Sequence, residues 1–237
     1  MFKLLSTANP KIQKGTKLGY LSFILHLAPA TLSGKETCPK RTAGCTAACL
    51  NTAGRGGMFR KGETTNTIQK ARIRKTEYFF NDRDGFMKDL YKDIVKAKKF
   101  AEKQGLIPVF RLNGTSDLGW EKYEVGTTGM NLFQLFPTTQ FYDYTKVLGR
   151  KVAQYPNYHL TFSKADGNDA DVAEALLQGM SVVAVYDEIP AGVPSADETD
   201  LRFLDPKGIM LGLKAKGRAK KDTTGFVIRI HSVVDKR

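Results

Sequence analysis

All three cysteines of this 237-residue chain fall in one short stretch, at Cys38, Cys45 and Cys49. An odd number excludes a closed set of disulfides, and tight clustering of thiols suggests ligands converging on a metal. Cys45 and Cys49 are four residues apart, so a helix beginning near Cys45 puts both sulfurs on one face. Cys38 then reaches in from the preceding loop, and Gly44 lets the chain turn tightly beside the metal. A structural zinc wants four protein ligands, and the segment supplies three, so His26, His159 or His231 would have to be the fourth. A three-thiolate catalytic zinc of the base-deaminase kind lacks its Cys-x-x-Cys partner here. A [4Fe–4S] cluster is a soft, thiolate-bound centre and can keep one iron open when three cysteines are supplied. The spacing favours the cluster. Zinc, and three reduced thiols that merely fill space, stay open as alternatives.

A second group lies at the end of the apolar run 106–113, where Arg111, Asn113, Ser116 and Asp117 are followed by Trp120 and Glu121. Alternate strand positions share a side, so Arg111 and Asn113 are expected to face the same way, toward the cluster or a bound anion. Ser116 or Asp117 could equally cap a short turn. Lys146, at the end of the next apolar run, completes the candidate substrate-binding set.

Net charge is +13 and unevenly spread, with basic ends, a basic 55–103 region and an acidic 104–200 region. Such a chain invites a polyanion, for which DNA or RNA is the ready candidate. The candidate nucleic-acid contacts are Arg55, Arg60 and Lys61 after the cysteines, and Lys214, Lys216, Arg218 and Lys220 in the basic loop 214–221. The lysine row of 88–103 is interrupted by Asp89 and Asp93 and reads as a solvated helix face. The apolar stretch 18–27 is too short to span a membrane, and no signal-peptide pattern precedes it, so a cytoplasmic protein with reduced thiols and no membrane partner is expected.

The elements that must position these groups follow from periodicity. Residues 1–17 read as a polar, loosely held arm, and 18–27 as a first buried strand ending at Pro29, with the cysteine loop (37–56) directly after it. A long helical region covers 67–104, with a break near 81–85. Strands are expected over 106–113, 140–146, 158–163 and 181–186, with helices over 132–136, 147–154 and 169–178. After an acidic loop (187–200), 201–206, 208–213 and 226–230 read as further strands. This strand–helix rhythm indicates one α/β domain over 1–237, with a parallel sheet or barrel.

The run Leu27-Ala28-Pro29 … Ser33-Gly34 … Cys38-Pro39 … Gly44-Cys45 … Cys49-Leu50 … Ala53-Gly54-Arg55-Gly56 resembles a family of tailed-phage gene products. Arg111-Leu112-Asn113-Gly114-Thr115-Ser116-Asp117 and Tyr144-Thr145-Lys146 extend the likeness over most of 20–230. It implies a phage protein acting in the infected host cell. The three-cysteine loop is also similar in kind to the radical-SAM enzymes, in which a cluster with an open iron follows the first barrel strand. That likeness implies an incomplete or irregular (β/α) barrel and S-adenosylmethionine as a cofactor. The spacing of six and three residues departs from the three and two of those enzymes.

Overall fold

Leu21–Leu25 is buried at every position, as a strand covered on both faces must be. In the computed structural model, which describes residues 2–7 and 14–230, it lies near one end of a single eight-stranded sheet. The strands are β1 (Leu5–Ser6), β2 (Tyr20–Leu25), β3 (Ile107–Arg111), β4 (Gln140–Thr145), β5 (Tyr158–Ser163), β6 (Val182–Tyr186), β7 (Met210–Lys214) and β8 (Val227–Ile228). From β2 to β7 they are parallel and neighbour one another in chain order. β1 adds an antiparallel edge to β2. β8 pairs with Val185 and Tyr186 of β6, past Val182 and Val183 where β5 pairs. The result is a mixed α/β fold on one mostly parallel sheet. Among the described residues no ladder joins β7 to β1 or β2; Ser195 instead bridges to Gly212 of β7.

The helices that accompany the sheet include, among the described residues, α1 (Ala43–Ala47), α2 (Thr67–Asn81), α3 (Arg83–Glu102), α4 (Leu132–Leu135) and α5 (Asp169–Leu177). The long helical region breaks at Asp82, whose side chain accepts from Gly85 N at 2.9 Å and starts α3 afresh. The apolar stripe Phe86, Leu90, Ile94, Ala97 and Ala101 of α3 is fully buried and shares a core with Phe23 and Phe110 of the sheet. Each such large side chain contributes about 1.5–3 kcal/mol. The opposite sheet face is covered by the acidic loop and the segment that follows it. Leu201 packs with Val109 and Tyr142, Phe203 meets the Tyr20 ring edge-on and the Tyr142 ring at a tilt, and Ala196 joins Val183 and Leu211.

Four sequence expectations change. The arm 1–17 is tied down in part, because Leu4 and Leu5 are buried and both donate backbone N–H groups to Asp93; residues 1 and 8–13 lie outside the described residues. Residues 147–154 are irregular turns, since Gly149 adopts φ 68° and Arg150 turns inward to Glu121 and Tyr158. The 201–206 run is a 3-10 turn (Arg202–Leu204) whose alternating apolar residues reach the sheet from a loop. The strand 106–113 ends at Arg111, so Arg111 and Asn113 do not share a strand face.

Candidate metal centre

Every parallel strand from β2 to β5 contributes at its carboxyl end to the surroundings of the cysteines. The loop leaving β2 is pinned by Thr37, whose hydroxyl donates to Ala28 O at 2.6 Å, and by Ala28 N donating to Thr76 Oγ1 of α2 at 2.8 Å. Cys38 Sγ accepts from Ala30 N at 3.4 Å, and Thr37 O accepts from Asp117 N at 2.8 Å, which joins this loop to the one leaving β3. α1 begins at Thr42, whose hydroxyl caps Cys45 N at 3.1 Å and donates in turn to Asp166, just beyond β5. The other Asp166 oxygen accepts from Gly44 N at 3.1 Å. Gly44 is required here, because a Cβ would stand 2.5 Å from Asp166 Oδ1 and closer still to Thr224 Oγ1. Cys49 caps the 3-10 turn Leu50–Thr52, its sulfur accepting from Asn51 N at 3.5 Å.

Cys49 lies between the other two thiols in electrostatic reach, acting on Cys38 and acted on by Cys45. Burial pushes the Cys38 and Cys49 thiols up, and each is raised further by a neighbour, Cys49 acting on Cys38 and Cys45 on Cys49. Arg72 and Lys146 pull Cys49 the other way. Arg72 donates to Asn51 Oδ1, while burial lowers its own pKa against the opposing charge of Cys49. Lys146 donates its backbone N–H to Asp117 Oδ2 at 2.8 Å and its ammonium to Ser163 Oγ at 3.1 Å, so it spans from β4 to β5. Two buried atoms here, Arg72 Nε and Asp117 Oδ1, have no hydrogen-bond partner. The nearest cation to Asp117 Oδ1 is Arg150, at 4.0 Å.

Cys38, Cys45, Cys49, Asp117 and Lys146 are thus gathered at one end of the sheet. Asn113 and Ser116 lie beneath them as buttresses. Asn113 Oδ1 accepts from Ser116 Oγ, Leu118 N and Trp120 Nε1, which ties the loop together. Arg111 is occupied elsewhere, paired with Asp200 at 2.9 Å and lying over the Tyr144 ring. Burial works against its charge, yet Asp200 and Tyr144 hold its pKa above the usual arginine value. His26 and His159 are both pushed toward the neutral form by burial, His26 with Arg72 and Arg111 adding to the effect. His231 lies outside the described residues.

Among the described residues no three His, Cys, Asp or Glu side chains stand together closely enough to hold a metal ion. A single zinc needs four donors around one centre. Arg72, Asn51 and Asp166 went unnoticed in the sequence. Arg72 had a signal, for it falls in the inward row of α2 with Gln69, Thr76 and Phe79.

The basic residues divide. Lys214 N–H donates to Asp197 at 2.8 Å, and Lys216 pairs with the same carboxylate. Arg218 and Lys220 lie in the 3-10 turn Gly217–Lys221, whose Ala219 packs on Ala48 beside the cysteines. Arg55 sits in the 3-10 turn Gly54–Gly57, and Arg60 and Lys61 are exposed just after it. No helix among the described residues is long and apolar enough to cross a membrane. In comparisons with known proteins, a family model described as Gene product 88 matches residues 3–230. No curated protein and no solved structure matches.

Proposed function

The chain belongs to the Gene product 88 family, and we propose that it is an iron–sulfur protein whose [4Fe–4S] cluster is held by Cys38, Cys45 and Cys49 and which acts on or binds nucleic acid or its precursors. The observation that carries this is the gathering of three part-buried cysteines beyond the carboxyl ends of the parallel strands, pinned there by Thr37, Asp117 and Asp166, with the cations Arg72 and Lys146 near Cys49. Ligand sites in parallel α/β folds lie beyond the carboxyl ends of the strands, which is where the cysteines are. The family match is consistent with the tailed-phage resemblance of the sequence.

In this reading the chain supplies a fixed frame. Asp166 holds the first turn of α1 and so the position of Cys45, and the Thr37–Asp117 bond holds Cys38 against the β3 exit. The cluster, when bound, offers one iron without a protein thiolate, where a substrate or cofactor can coordinate. The sequential parallel strands favour an incomplete barrel of the radical-SAM kind, with S-adenosylmethionine as the cofactor in question.

Anaerobic reconstitution tests the proposal. The expected product is brown, absorbs broadly near ~400 nm, and carries about four irons and four sulfides per chain. Cys45→Ala should lose the colour. One equivalent of zinc with no labile sulfide would overturn the cluster in favour of a structural zinc site. A spectral change on adding S-adenosylmethionine to the reduced protein, with release of 5′-deoxyadenosine, would make it a radical enzyme; its absence would leave a binding or electron-carrying role.

A further inference from the structure

We propose that the two basic segments form one continuous ledge beside the cysteines that binds single-stranded nucleic acid. The inference rests on nucleic acid being the partner in the function proposed above, and gives that partner a place and a strand type.

More than 150 residues of chain separate the two segments, yet the fold joins them. Ala219 is buried against Ala48, and a Cβ on Gly217 would touch Ala53 Cβ at 3.4 Å. The turn Gly217–Lys221 therefore lies directly on the cysteine segment, next to the turn that carries Arg55. Among the described residues, Arg55, Arg60, Lys61, Arg218, Lys220 and Lys221 are exposed and none forms an ion pair with a carboxylate. Lys216, by contrast, is neutralised by Asp197. Arg55 and the cations Arg218, Lys220 and Lys221 thus stand on adjoining turns, with Arg60 and Lys61 a few residues further along the chain, and uncompensated cations so grouped attract a backbone of regularly spaced phosphates.

Strand type follows from what lies between the charges. Leu50 is 56% exposed, Met58 70% and Phe59 36%, all within the same stretch as Arg55, Arg60 and Lys61. A duplex hides the faces of its bases and would leave these side chains in water. A single strand offers both phosphates and unstacked bases, and aromatic or apolar side chains set among cations are what it needs. The ledge consists of short turns, with no helix or two-stranded ribbon of a size to enter a major groove.

The test is fluorescence anisotropy with labelled single-stranded and duplex DNA of equal length, between ~50 and ~200 mM KCl. Single-stranded DNA should bind more tightly. Arg218→Glu with Lys220→Glu and Lys221→Glu should flatten the slope of log K against log salt by about 2, at roughly 0.7 per lost contact. Phe59→Ala should weaken single-strand binding roughly 5- to 150-fold and leave duplex binding unchanged. If the triple variant fails to fold by circular dichroism, Arg218→Glu and Lys220→Glu alone should each shift the slope by about 0.7. No affinity of the parent for single strands at low salt, an unchanged slope in the variants, or duplex bound as tightly with Phe59→Ala silent would each overturn the ledge. Iron and sulfide counted on the same preparations keep the two proposals apart: DNA bound by protein that takes up no iron retains the ledge and removes the cluster, and a loaded cluster without DNA binding does the reverse.

Discussion

Burial favours the protonated form of Asp143, against hydrogen bonds that favour its charge. It is fully buried within β4, its Oδ1 accepting from Asn113 N at 2.6 Å and its Oδ2 from Tyr158 OH at 2.9 Å. Burial raises its pKa from 3.8 to about 7. Between those values the folded chain keeps a proton that the unfolded chain has released, so this group makes stability fall as pH rises through the window. His26 works in the opposite sense. Burial, with Arg72 and Arg111, lowers its pKa from 6.5 to about 3, so between these values the unfolded state binds the extra proton and stability rises with pH. Asp143→Asn should therefore gain on the parent as pH goes from 4 to 7, by about 1.4 kcal/mol per unit of lost shift. Urea unfolding of both proteins at the two ends of that range measures it. Parallel pH profiles for variant and parent would show that Asp143 does not retain the proton.

At the scale of elements, α1 is the weak member that the cysteines depend on. A helix of five residues does not persist by its own hydrogen bonds, and it stays because Thr42 caps it and Asp166 grips its first turn from across the sheet. Gly44→Ala would drive a methyl into Asp166 and Thr224, so a loss of about 1–3 kcal/mol is expected, read as a fall in Tm. Thr224→Ala in the same chain should recover part of it, and no recovery would mean that the overlap with Thr224 is not the cause. The grip also shows where sequence reading stops. The cysteine cluster, the α2–α3 pair with its break, and the strands from β2 to β7 were legible, because each rests on a local pattern of apolar residues or on spacing. Asp166 was not, since its partners Thr42 and Gly44 are more than 100 residues away. Helix formers in 147–154 misled because Gly149 takes a left-handed conformation and Arg150 has better partners inside. The run Leu201–Asp205 misled because a 3-10 turn can alternate its apolar side chains as a strand does.

Over the whole molecule, the acidic segment closes one face of the sheet, and its buried ion pair there is Asp200 with Arg111. Removing one partner strands the other in the interior. Asp200→Ala should cost about 3–5 kcal/mol in denaturant unfolding, while Arg111→Met with Asp200→Leu should cost much less. Equal losses for the two would mean that the segment is held by Leu201 and Phe203 rather than by the ion pair. The basic turn has a consequence of another kind, in time. Ala219 covers Ala48, but it is synthesised roughly 170 residues later, a delay of ~10–30 s at common rates of translation. During that interval the Ala48 face beside Cys45 and Cys49 is open on the nascent chain, and it closes only when the turn Gly217–Lys221 has emerged and docked on it.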